Sequence, residues 1–65
     1  MEMPWDYEEV ANWFLNDEGL YSLAMGAQSG KDLFDLCNDC GYLQVGDVTI
    51  TACNVRYAWD CVHDQ

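Results

Sequence analysis

The string best suited to chemistry in this chain is Cys37-Asn38-Asp39-Cys40-Gly41. A Cys-x-x-Cys-Gly turn places two thiolates at the spacing of half a tetrahedral zinc site, and Cys53 with Cys61, or with His63, would have to supply the other half. Seven residues separate Cys53 from Cys61 and form no second knuckle, so free thiols are the expected state. A redox role is opposed by electrostatics. The pair falls at a predicted helix C-terminus, where the dipole disfavours a thiolate, and Asp35 and Asp39 disfavour it further. Nucleophilic catalysis by Cys61 would need His63 held close and oriented by a third group. Two residues from the last position, His63 reads instead as a solvated tail residue. Asn16-Asp17-Glu18-Gly19 is too short for a calcium loop and lacks its alternating ligands, and no glycine-rich loop could cradle a phosphate. Carboxylate pairs are too common here to mark general acid–base chemistry. No nucleophile, base and pocket come together, so an enzyme is not expected.

The carboxylates carry the stronger signal. Twelve Asp and Glu stand against two cations, Lys31 and Arg56, for a net charge of −10 in 65 residues. Such a chain repels nucleic acids and anionic membranes, and an electrostatic partner of it should be basic. Solubility alone calls for mixed signs and a modest net charge, whereas this imbalance destabilises a small fold by self-repulsion. The acids are also arranged. Glu2, Asp6 and Glu9 recur along the first predicted helix, and Asp32, Asp35 and Asp39 along the third. At roughly 1.5 Å rise per residue each stripe spans about 10.5 Å, the scale of a short run of phosphates.

The elements that must position these residues follow from periodicity. Pro4 suits the first position of a helix over about 4–16, with Asp6, Glu8 and Glu9 where the dipole favours anions and Tyr7, Val10, Ala11 and Phe14 as its apolar stripe. Trp5 falls toward the polar side and Trp13 at the stripe's border. Asn16 or Asp17 can cap a helix over about 18–27, with Leu20, Leu23, Ala24 and Ala27 on one face. Ser29-Gly30-Lys31-Asp32 is a capping-box pattern opening a helix over about 30–40, buried through Leu33, Leu36, Cys37 and Cys40 and stopped by Gly41.

Beyond Gly41 the pattern changes to period two. Strands over about 42–45, 48–52 and 55–61 fall in one register, with Gly46-Asp47 as a type II′ turn and Cys53-Asn54 as a second turn. Leu43, Val45, Val48, Ile50, Ala52, Val55, Tyr57, Trp59 and Cys61 then share one face. A rival reading makes the last segment a helix capped by Asn54, with Val55, Ala58, Trp59 and Val62 on one side. The β-rich composition and the longer period-two match favour strand. The expected fold class is therefore α+β: three short N-terminal helices packed on one face of a C-terminal three-stranded antiparallel meander, in one domain over 1–65.

No internal repeat, linker or low-complexity segment interrupts the chain. The acidic N-terminus has no continuous apolar core and reads as no signal peptide, and no run reaches the length of a membrane span. A cytoplasmic location follows, with reduced cysteines or metal ligands rather than disulfides.

Size, charge and the two stripes, Asp32-Leu33-Phe34-Asp35-Leu36 among them, resemble a class of very small acidic inhibitors encoded by phages and mobile elements. These are the anti-CRISPR, anti-restriction and uracil-glycosylase inhibitor proteins that act as DNA mimics, and the anti-CRISPR proteins are the most similar. The resemblance implies a non-enzymatic, monomeric inhibitor in the cytoplasm of an infected bacterium. It would cover a basic DNA-reading surface, such as the PAM-recognition surface of a type I CRISPR-Cas effector. Asp32, Asp35 and Asp39, with Asp6, Glu9, Asp17 and Glu18, would stand in for phosphates, and Trp5 or Trp13 would serve as a packed anchor. No cofactor is expected. The alternative is a small zinc-stabilised interaction adaptor held by Cys37, Cys40, Cys53 and Cys61.

Overall fold

Three N-terminal helices form, the first along its apolar stripe and the next two behind their capping residues. The computed structural model describes residues 5–64; Glu2, Pro4 and the side chain of Trp5 lie outside the described residues. Helix α1 (Trp5–Asn16) buries Val10, Ala11 and Phe14, with Leu15 packed at the edge. Asp17 then acts on two helices. Its N–H donates to the Trp13 carbonyl at 2.9 Å, and its carboxylate accepts from the Leu20 N–H at 3.1 Å to cap α2 (Glu18–Gly26). Helix α3 (Gly30–Cys40) opens on Ser29, whose hydroxyl accepts from the Asp32 N–H at 3.1 Å. It stops at Gly41, where a φ of 84° lets the next amide, Tyr42, return to the Cys37 carbonyl at 2.8 Å.

The hairpin that follows is short. Strands β1 (Gln44–Val45) and β2 (Val48–Thr49) pair antiparallel with Val45 opposite Val48, and the Ile50 N–H reaches the Leu43 carbonyl at 3.1 Å. Gly46 has a φ of 59° while Asp47 keeps a negative φ, the combination of a type II′ turn. Val45, Val48 and Ile50 are buried as the alternation requires. Leu43, placed on the same face, is instead 61% exposed.

The third strand is a helix. Residues Ala52–His63 form α4, so the described residues hold four helices and a single two-stranded hairpin rather than an α+β meander. Two causes are visible, one local and one tertiary. Thr51 and Asn54 form a reciprocal capping box: the Asn54 N–H donates to Thr51 Oγ1 at 3.1 Å, and the Thr51 N–H donates to Asn54 Oδ1 at 2.7 Å. The remaining Asn54 amide hydrogens reach back to the hairpin at the Thr49 carbonyl, 3.1 Å away, which satisfies a side chain that is fully buried. Asn54 is thus the third helical residue, neither the predicted turn residue nor the cap of the rival helix. Cys53 and Ala52 are exposed in the first turn instead of lying in a turn and on a strand face.

The second cause is position. Helix α4 is the element on which the other three helices pack, most extensively α1 and then α3. Val55, Ala58 and Val62 form its fully buried line, while Tyr57, Trp59 and Cys61 pack at its flanks. A helix covered on several sides carries apolar residues around much of its circumference, and here that coverage imitates strand alternation. The α3–α4 approach is close enough to exclude a side chain at Gly30, where a Cβ would lie 2.7 Å from the Arg56 Cα. The far end of α4 is tied to α2 and its exit: Trp59 Nε1 donates to the Ala27 carbonyl at 3.1 Å. His63 Nε2 donates to the Ala24 carbonyl at 3.0 Å, with its ring centroid 4.2 Å from that of Trp59. His63 is therefore the last residue of α4, exposed as expected but tied to α2 rather than lying in a tail.

Candidate functional site

The two acidic stripes are carried by helices that both pack on α4 and make little contact with each other. On α3 the carboxylates are largely engaged. Asp32 is half-buried, and its Oδ2 accepts from the Gln28 N–H at 3.0 Å, so it closes the start of the helix. Asp35 lies 3.7 Å from Lys31 Nζ, one turn earlier on the same face. Asp39 is exposed in the last turn, where the helix dipole disfavours an anion, and no basic residue in that turn compensates.

On α1 the stripe meets the hairpin. Glu9 is half-buried and accepts from the Trp13 indole N–H at 3.3 Å. Trp13 is 38% exposed, and the hairpin turn rests on it, since a Cβ at Gly46 would lie 2.9 Å from Trp13 Nε1. Glu9, Asn12, Trp13 and Asn16 line a shallow depression of about 240 Å³. Across the turn, Asp6 and Asp47 line another of about 460 Å³ with Val48, Thr49 and Thr51. One carboxylate oxygen of Asp6 is buried there and has no hydrogen-bond partner among the described residues. The structure thus adds Asp47 to the α1 acids. The reading by helix periodicity passed over it because it lies on another element.

The remaining acids serve separate ends. Asp17 caps α2, and Glu18 is exposed in that helix's first turn, where the dipole favours it. Asp60 and Asp64 are one helical turn apart at the end of α4 and line a depression of about 530 Å³ with Tyr57, Cys61 and His63. Both cations occupy one place: Lys31 and Arg56 line a single depression with Ser29, Gly30, Trp59 and Asp60, beside the start of α3.

The four cysteines are not brought together. Cys37 is buried in α3 and Cys40 exposed at its end, while Cys53 is exposed and Cys61 half-buried on α4. The described residues contain no group of three or more His, Cys, Asp or Glu placed to hold a metal. Burial, with Cys40 adding to it, pushes the Cys37 thiol up to about 11. The Tyr7 and Tyr57 rings lie 5.7 Å apart, and each phenol sits beside a thiol. The interaction with Cys53, then burial, raises Tyr7, and the charge of Cys61, then burial, raises Tyr57. These shifts leave both phenols protonated at neutral pH and give neither the character of a base. Among the described residues no helix is long and apolar enough to cross a membrane.

No known protein family, curated protein or solved structure matches this chain.

Proposed function

We propose that this protein is a non-enzymatic inhibitor that acts as a DNA mimic. It docks as a monomer on a basic DNA-reading surface of a bacterial defence complex, such as the PAM-recognition surface of a type I CRISPR-Cas effector, and excludes target DNA in the cytoplasm of an infected host. The observation that supports this reading most is the segregation of charge. A net charge of −10 is spread over a fold of 29 × 26 × 20 Å whose two cations share one depression. Carboxylates held this way would replace the phosphates that dominate affinity for a DNA-binding groove, and charge would speed association.

Affinity capture tests the reading. The immobilised protein is exposed to a bacterial lysate and eluted with duplex DNA in one arm and with salt in the other. Release of a DNA-binding complex by both is the expected result, and a partner that DNA cannot displace would overturn competition. The adaptor alternative requires about one zinc per chain and unfolding by a chelator, which metal analysis checks on the same sample.

A further inference from the structure

The acids that meet the partner need not be the ones that form the neatest stripe, and the surroundings of the two stripes differ in kind. Asp32 accepts from the Gln28 N–H at the start of α3, and Asp35 stands in an exposed pair with Lys31. Lys31 and Arg56 flank that end of the helix and would repel a basic surface approaching it. The α1 side has no such neighbour among the residues lining its two depressions. There Glu9 bonds a half-exposed indole, Asp6 and Asp47 line the neighbouring depression, and the Gly46-Asp47 turn lies between the two because Gly46 packs against Trp13 while Asp47 shares its depression with Asp6.

We propose that the docking surface is this seam between α1 and the hairpin turn, and that it receives arginine side chains of the basic partner. Trp13 is the platform, Glu9 is the carboxylate bonded to it, and Asp47 and Asp6 are the carboxylates on the other side of the turn. A guanidinium is planar, stacks on an indole and donates in a fork to a carboxylate, and an ammonium does neither as well. The Trp13 N–H is already turned to Glu9, so the indole and that carboxylate are held as a unit before a partner arrives. The absence of a side chain at Gly46 lets the turn lie directly against the ring and hold it in place. The inference rests on the DNA-mimic reading for the basic character of the partner, and it assigns a different face from the α3 stripe.

The test uses the full-length, 15N-labelled chain titrated at low salt with hexa-arginine and hexa-lysine peptides. The chain has three tryptophans, so the Trp13 indole signal is identified by a Trp13→Phe variant. The Trp13 indole and the amides of 9–16 and 46–49 are expected to move saturably. The arginine peptide should bind several-fold tighter than the lysine peptide, and Glu9→Gln with Asp47→Asn should weaken it about tenfold. Both substitutions keep side-chain shape and fold. The Asp32→Asn, Asp35→Asn, Asp39→Asn variant should change the affinity by less than about twofold. Equal affinity for the two peptides, shifts centred on α3, or an equal loss in the α3 variant would overturn the seam. The outcome is separable from the capture experiment. Arginine binding at the seam without release of a captured partner by DNA sinks the mimicry alone, whereas release by DNA with peptide shifts on α3 sinks the seam alone.

Discussion

Helices α1 and α3 carry acids at nearly the same intervals, yet their carboxylates do different things. On α3 the first closes the helix start through the Gln28 N–H, the second pairs with Lys31, and both of the chain's cations stand beside them. On α1 the acids face a hairpin turn that brings a further carboxylate, Asp47, and presses a glycine against Trp13. Spacing along a helix therefore sets which acids are neighbours. What the next element brings to that face sets whether their charge is available.

The comparison can be broken first on the α3 side. Gly30→Ala would put a methyl group 2.7 Å from the Arg56 Cα, and backbone cannot withdraw as a side-chain tip can. A loss of about 3 kcal/mol is expected from such overpacking, a large share of the stability of a domain this small. Urea unfolding reads it, and a loss below about 0.5 kcal/mol would mean that α3 does not rest on α4 this closely. On the α1 side, Gly46→Ala combines a positive φ with a Cβ 2.9 Å from Trp13 Nε1. About 2 kcal/mol should be lost, with a change in Trp13 emission that Gly30→Ala does not produce.

Between the hairpin and α4, Asn54→Ala removes one half of the capping box and leaves the Thr49 carbonyl without its partner. About 1.5 kcal/mol is expected, and an unchanged melting curve would deny the box its role. The buried face of α3 can be separated from its exposed one by pH. The Cys37 thiol is held at about 11, above the ordinary value of 9.0 that it regains on unfolding. The unfolded chain therefore releases this proton first. Stability from Cys37 is fully present below about pH 9 and falls as pH rises toward 11. Tyr7 and Tyr57 are also raised and add loss of the same sign at the alkaline end, so the comparison is with a Cys37→Ala variant. That variant should show a shallower fall between those values in denaturation at stepped pH. The smallest effect belongs to the α3 surface: Asp35→Asn breaks an exposed pair at 3.7 Å and should cost less than about 0.5 kcal/mol.

Three helices and one turn could be read from residues that act locally. Asp17, Ser29 and Gly41 cap or stop helices through bonds reaching no further than five residues along the chain, and Gly46 adopts the positive φ its turn needs. The last segment could not be read this way. Val55, Tyr57, Trp59 and Cys61 alternate as a strand would, and Val55, Ala58 and Val62 repeat as a helix would, so periodicity alone left both open. The Thr51–Asn54 box was present in the residues but was passed over, because Asn54 had been assigned to a turn. The candidate site was legible in its acids and in Trp13, and not in Asp47.

Composition by itself determined that this chain has a strongly negative surface and enough apolar periodicity to fold, because net charge and local stripes are sums over neighbouring residues. It also determined most helix ends, since a cap and the amides it serves lie within one turn. The Thr51–Asn54 box opens a helix locally, but tertiary structure alone made 52–63 the central one, because only the packing of α1, α2 and α3 around it accounts for apolar residues on several of its sides. It alone decided which carboxylates stand free. That depends on which side chains distant in sequence come to line one depression, such as Asp6 with Asp47 or Lys31 with Arg56, which no spacing along the chain encodes.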